Sequence, residues 1–400
     1  MRIQLLFRVG IRTLVVVACL LGAWESTKIL RSDRLYWQGS EESIRSAIRL
    51  EPDCWWCYTQ LARLDDKDAD GLLQTSLRFN PYNSDAAIDL GLRYEARGDL
   101  ARAEKLLLQA YEVDQTYAPR WTLANFYFRR GNWPAFWLWA RRAAEMPIDN
   151  IGALFELCWR VTPDPGTVEA RIIENNPTVL RQYVDFLMSK DQGKSALSPA
   201  LDLVHSGSPD IDRERLFRVT DRMIAEDDAP RANALWRELI RERWVVADSS
   251  FPNNPKFARE PLPIRFDWFL PSGNGLHSWP GPSGLVTEFT GEEPEDGVIA
   301  EQAISLQPGS YVLESSYHTQ DIAANTGVRW EIAQIGSDTA LAGSSFLSSN
   351  GMAKVAVPFS VEADHQLLRL SLVYRRQIGT SRISGTLTVS SIRIGTSPSK

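Results

Sequence analysis

The chain has 400 residues, 44% of them hydrophobic, and a formal net charge of -6. That length and apolar content supply two or three cores and exclude disorder throughout. The acidic balance excludes a nucleic-acid footprint, which needs clustered Lys and Arg.

At the N-terminus, Arg2, Arg8 and Arg12 precede the apolar run Leu14 to Trp24. A basic flank before a hydrophobic segment holds the N-terminus in the cytoplasm and sends the rest of the chain outward. The run alone is too short for a hydrocarbon core of about 30 Å, but Leu5 to Trp24 gives about twenty residues if Arg8 and Arg12 snorkel toward the headgroups. The expectation is a single-pass signal anchor within residues 1–30, touching the inner or cell membrane through residues 5–24. The bulk of the chain then faces the periplasm or exterior. Other readings stay open: Val16-Val17-Ala18-Cys19 resembles a lipoprotein cleavage box that would acylate Cys19, cleavage after Ala23 would secrete the chain, and the segment would otherwise be a buried soluble helix.

Cys54-Trp55-Trp56-Cys57 has redox spacing, but a thioredoxin-like site needs a βαβ setting and zinc needs a second ligand pair. Neither accompanies it. The remaining readings are a local disulfide between Cys54 and Cys57, as an oxidising compartment allows, or two thiols packed between helices.

Residues 31–150 repeat. Leu90, Gly91, Tyr94, Gly98, Ala103, Leu107 and Ala110 have counterparts thirty-three residues on at Leu123, Ala124, Tyr127, Gly131, Phe136, Ala140 and Ala143. Leu90, Gly91 and Tyr94 share one helical face, Gly98-Asp99 reverses the chain, and Ala103, Leu107 and Ala110 face back from a second helix. Such a pair cannot bury its apolar stripe alone and must stack on neighbours. Ser84 to Tyr117 resembles a tetratricopeptide-repeat (TPR) unit on Leu90-Gly91, Tyr94, Gly98-Asp99, Ala103 and Ala110, with Gln115 where the family usually closes on Pro. Ala47 with Glu51-Pro52, and Asn80-Pro81, resemble ends of neighbouring units.

The resemblance implies an α-solenoid that binds protein partners. Trp121, Asn125 and Arg129 recur at i+4 on one face of the next unit and are the candidate partner-binding residues. The bland alternative for Trp121, Trp133, Trp137 and Trp139 is that the rings fill space between helices.

Residues 151–250 continue as helical text, with Pro165, Pro177 and Pro230 at helix starts. The expectation is degenerate repeats, with a separate helical cap as the alternative. The Pro-rich stretch Phe251 to Pro263 marks a boundary. Beyond it, residues 251–400 read as eight strands: Ile264–Leu270, Leu285–Thr290, Val298–Leu306, Tyr311–His318, Val328–Ile335, Ala353–Val361, Leu367–Arg375 and Gly385–Ile394. Leu368, Leu370, Leu372 and Tyr374 alternate with Arg369, Ser371 and Val373, and a phase break at Ser390-Ser391 suits a bulge. Asn254-Pro255-x-Phe257, Leu306-x-Pro308-Gly309-x-Tyr311 and the closing strand from Gly385 resemble the jelly-roll sandwiches of carbohydrate-binding and galactose-binding-like families. Trp279, in the Pro- and Gly-rich segment Ser272 to Gly284, is the candidate glycan-binding residue; Trp268 is expected in the core.

Chemistry-bearing motifs are sparse. The four histidines are scattered in sequence, Glu292-Glu293-x-Glu295-Asp296 reads as a solvated turn, and no phosphate loop or serine-hydrolase elbow is present. The expectation is a multidomain α plus β chain without catalytic residues, metal or cofactor: anchor helix, TPR-like α-solenoid, and antiparallel β-sandwich of jelly-roll type. Its expected role is a membrane-tethered scaffold for protein partners outside the cytoplasm. The rival role is a glycan-binding protein of cell-surface polysaccharide assembly, with the sandwich reading sugar and the repeats recruiting partners.

Overall fold

The computed structural model describes residues 2–146, 148–173, 176–248, 250–273, 275–324, 326–349 and 351–397, with side chains described from residue 14. The chain divides into two compact units, Met1–Glu174 and Asn175–Lys400.

The first unit is helical. Helix α1 (Arg2–Trp37) is followed by α2 (Glu41–Leu50), α3 (Trp55–Leu64) and α4 (Ala69–Phe79). Next come α5 (Ser84–Ala96), α6 (Leu100–Val113), α7 (Tyr117–Arg129), α8 (Trp133–Ala144), α9 (Gly152–Val161) and α10 (Pro165–Ile172). The expected anchor, Leu5 to Trp24, falls on α1, with the side chains of Leu5, Arg8 and Arg12 outside the described residues. Among the described residues no helix is long and apolar enough to cross a membrane. Leu14, Leu20, Leu21 and Trp24 are nonetheless 72%, 65%, 61% and 68% exposed. At the far end of α1, Leu35 and Tyr36 lie against a core of Ile44, Ala47, Cys54, Cys57 and Leu61.

The repeat register is visible atom by atom. Asn83, Asp99 and Asn132 cap the starts of α5, α6 and α8 by accepting the backbone N–H groups of Ala86, Arg102 and Ala135. Between α5 and α6, Gly98 takes φ +83° and the Asp99 N–H reaches the Tyr94 carbonyl at 3.0 Å. Between α7 and α8, Gly131 takes φ +65° and the Asn132 N–H reaches Tyr127 at 3.0 Å. These are Schellman endings, in which a left-handed residue closes the helix and satisfies its last carbonyls. Ala103, Leu107, Ala110, Phe136, Ala140 and Ala143 are all buried, as the stacking argument requires.

The second unit opens with α11 (Pro177–Ser189), α12 (Leu197–Ser206), α13 (Pro209–Ala225) and α14 (Ala229–Arg241). The same ending recurs with aspartate in the left-handed position: Asp191 and Asp227 take φ +56° and +55°, and Gln192 and Asp228 donate back to Leu187 and Met223, each at 2.9 Å. Asp is one of the few non-glycine residues that tolerates this conformation, so the same turn geometry forms here without a glycine.

Nine strands follow among the described residues: β1 (Leu276–Gly281), β2 (Gly284–Thr290), β3 (Asp296–Ser305), β4 (Gly309–Gln320), β5 (Val328–Gln334), β6 (Ala340–Gly343), β7 (Ala353–Val361), β8 (Leu367–Arg375) and β9 (Ser384–Thr396). They form an antiparallel five-stranded sheet, β1-β2-β9-β4-β7, and a four-stranded sheet, β3-β8-β5-β6. Leu313, Val357, Leu387 and Val389 of one sheet share a buried core with Ile304, Trp330, Leu370 and Leu372 of the other.

Two expectations are corrected. Ile264–Leu270 is not a strand; only Phe269 bridges to Glu301 of β3, because Pro261, Pro263 and Pro271 remove ladder donors around it. The segment read as a loop around Trp279 is strand β1. Its Pro280 is tolerated because β1 is a sheet edge, where a missing N–H costs no ladder bond. The expected phase break is real: Ser316 pairs with Ser391 and Tyr317 with Val389, leaving Ser390 as the bulged residue. On β8, Leu368, Leu370, Leu372 and Tyr374 point inward, but Ser371 and Val373 on the opposite face are also buried.

Candidate functional site

Two places gather candidate side chains, one in each unit. In the first unit, successive first helices of the pairs are tied together on one face. Arg63 of α3 pairs with Asp89 of α5 at 2.7 Å, and Arg129 of α7 pairs with Glu95 of α5 at 2.6 Å. These bonds link α3 to α5 and α5 to α7. Asp89, Leu92 and Glu95 share a helical face at i, i+3 and i+6, and Leu92 is left 37% exposed there.

Trp121, Asn125 and Arg129 do occupy one face of α7, as i+4 spacing dictates. Their environments differ from three free contacts. The Trp121 ring stacks on Tyr117 with centroids 6.1 Å apart, and Asn125 Nδ2 donates to the Trp121 carbonyl at 3.0 Å. Arg129 is held bidentate by Glu95, a geometry that fixes its guanidinium. Of the neighbouring rings, Trp137 and Trp139 are buried and Trp133 is 44% exposed. Burial and a hydrogen bond to Glu104 both push the Tyr127 hydroxyl pKa up.

Cys54 and Cys57 are joined by a disulfide with Cα atoms 5.3 Å apart, fully buried at the start of α3. Cys19 is a free thiol exposed on α1, while Cys158 is buried, which pushes its thiol pKa up.

The second place is a cleft of 980 Å³ in the second unit. Asp221 of α13, Glu260 and Phe269 of the connecting segment, Trp279 of β1, Glu301 of β3 and Arg369 of β8 all line it. The helices of this unit are joined to the segments around the sandwich by several contacts. Asn233 Nδ2 donates to Ser305 Oγ at 2.6 Å, the Trp236 and Phe266 rings lie 5.8 Å apart, and His365 Nδ1 lies 3.1 Å from Asp227. Asp221 accepts the Arg265 N–H at 2.9 Å, and burial pushes its carboxyl pKa up to about 6. Glu301 accepts the Ser371 hydroxyl at 3.1 Å, and Arg369 donates to the Ser337 carbonyl at 2.8 Å. The floor is rigid: Gln302, 1% exposed, makes reciprocal bonds with the Asn253 backbone at 2.8 and 3.0 Å.

Trp279 stands at this cleft 43% exposed, whereas Trp268 is 1% exposed and spends its indole N–H on the Asn254 carbonyl. Sequence reading found Trp279 but missed Asp221, Glu260, Phe269, Glu301 and Arg369. Their positions span about 150 residues, so no local spacing announces them. The acidic turn is solvated at Glu292, Glu295 and Asp296, with Glu295 paired to Arg376, but Glu293 is buried and accepts the N–H groups of Thr290 and Gly291. His205 does come within 3.1 Å of Glu238, close to Glu242, but Arg241 pairs with both carboxylates.

No protein-family model and no curated protein matches the chain. Solved structures are similar in parts. The TPR protein YrrB, described as having an unusual peptide-binding site, shares 13% identity over 51% of this chain and 94% of its own, at TM-score 0.26. PilW, a type IV pilus biogenesis factor, shares 12% over 54% of this chain and 92% of its own, at TM-score 0.27. The C-terminal CBM6 of LamC from Zobellia galactanivorans shares 17% over 30% of this chain and 88% of its own, at TM-score 0.20. No residue role is carried over from any of them.

Proposed function

We propose that the chain is a non-catalytic scaffold that binds a protein partner on the face formed by α3, α5 and α7. The observation that carries this reading is the lacing of that face by Arg63–Asp89 and Arg129–Glu95, which links α3, α5 and α7 with Leu92 lying between the two acidic partners on α5. A partner gains from a preorganised surface because fixed side chains lose little further freedom on binding. Affinity purification of the full-length chain, with and without Arg129→Ala and Trp121→Ala, tests it. A partner recovered by the native chain and lost from both variants is the expected result; identical recovery from all three contradicts it.

The scaffold is tethered to a membrane by α1 and works outside the cytoplasm. The exposed Leu14, Leu20, Leu21 and Trp24 support the tether, since such a run is stable only when covered. The Cys54–Cys57 disulfide supports an oxidising compartment. Retention in the membrane pellet after alkaline carbonate washing is expected; release into the supernatant contradicts the anchor.

A second reading, that the second unit binds sugar, is favoured by the exposed Trp279 beside the cleft. Binding without chain cleavage is expected, and new reducing ends after incubation with oligosaccharides would contradict a non-catalytic role.

A further inference from the structure

The cleft's lining specifies a class of ligand. At 980 Å³ it reaches the upper part of the roughly 300–1,000 Å³ range of small-molecule sites. Two rings border it in water, Trp279 at 43% exposure and Phe269 at 62%, while Trp268 and Trp330 of the same unit are 1% and 0% exposed. Flat aromatic faces held open beside a cleft offer stacking area to the apolar face of a ring-shaped ligand.

The polar lining is acceptor-rich. Asp221, Glu260 and Glu301 are acceptors when ionised, so they complement a ligand that presents many hydroxyl donors. Two arginines, Arg265 and Arg369, line the cleft with these three carboxylates, so the lining keeps a net negative charge. Arg369 is further committed, donating to the Ser337 carbonyl and lying 3.8 Å from Glu301. An anionic ligand is therefore disfavoured by like charge.

We propose that this cleft binds a short neutral oligosaccharide, Trp279 and Phe269 stacking on its sugar rings and Asp221, Glu260 and Glu301 accepting its hydroxyl hydrogen bonds. The proposal rests on the second reading above and makes it specific. Because Asp221 belongs to α13, the site is completed by the helices of the second unit and is not contained in the sandwich alone.

The test is titration calorimetry on the full-length chain. The probes are neutral glucose-, mannose-, galactose- and xylose-based oligosaccharides, with oligogalacturonate as the anionic comparator. At least one neutral probe binds and oligogalacturonate does not. Trp279→Ala and Phe269→Ala, both at exposed positions, each weaken binding roughly tenfold. Asp221→Asn and Glu260→Ala weaken it too, with cooperative melting retained. Sugar binding that none of the four changes alters overturns the cleft assignment while leaving the second reading intact. Preference for oligogalacturonate overturns the neutral ligand. Failure of every probe to bind overturns both the proposal and the reading beneath it.

Discussion

The Asp221 carboxylate accepts the backbone N–H of Arg265 at 2.9 Å, joining α13 to the segment that leads into the sandwich. Burial raises its pKa from 3.8 to about 6. The folded chain therefore holds this proton more tightly than the unfolded one, and the stability so gained is full below about pH 4 and lost as pH rises through 6. Asp221→Asn keeps an oxygen acceptor and removes the charge. Allowing for partial exposure, it should stabilise the chain by about 1–2 kcal/mol at pH 7 and change little at pH 4. Urea denaturation at both pH values checks this; an equal effect at the two would show that the charge is not responsible.

Gly91 faces Leu107 so closely that a Cβ there would lie 3.0 Å from Leu107 Cδ2 and 3.3 Å from the Ala103 carbonyl. Gly91→Val should therefore destabilise the chain by about 1–3 kcal/mol through overpacking, despite replacing a flexible residue in a helix. A thermal melt at or above the native midpoint would refute the close-approach account.

The Cys54–Cys57 bond closes a very short loop, so its loss should be mild. The chain-entropy relation gives about 2 kcal/mol for a loop of this size. Cys54→Ser/Cys57→Ser and dithiothreitol treatment should lower the midpoint by similar amounts, and reductant should not affect the double variant. A further drop in that variant would point elsewhere.

Glu293 is 2% exposed and accepts the N–H groups of Thr290, at 2.6 Å, and Gly291. Glu293→Ala strands those donors and should cost about 1–3 kcal/mol, read as an earlier urea midpoint. An unchanged midpoint would mean that water replaces the carboxylate without penalty.

Local patterns announced the parts of this molecule that depend on neighbours in sequence. Leu90, Gly91 and Ala103 carry packing that any pair of this period must repeat, so their register was readable. The turns at Asp191 and Asp227 were less so, because the left-handed residue there is not the glycine that usually marks it. Ile264–Leu270 alternates like a strand, but the prolines around it leave only the Phe269–Glu301 bridge. The cleft was legible only through Trp279: Asp221 and Arg369 meet there by folding, and no spacing in the chain connects them. Arg129 was found by periodicity, but its bidentate partner Glu95 lies one repeat back.

A protein partner seated on the α3, α5 and α7 face would come within crosslinking distance of Leu92. The most direct test places a photo-crosslinking amino acid at Leu92, which is 37% exposed on that face, and a second at Ile211, 62% exposed in the other unit. A discrete protein adduct is expected from position 92, lost when Arg129→Ala is added, and no such adduct from position 211. An adduct at 92 indifferent to Arg129→Ala, or none at 92 beside a clear one at 211, would contradict a partner seated on that face.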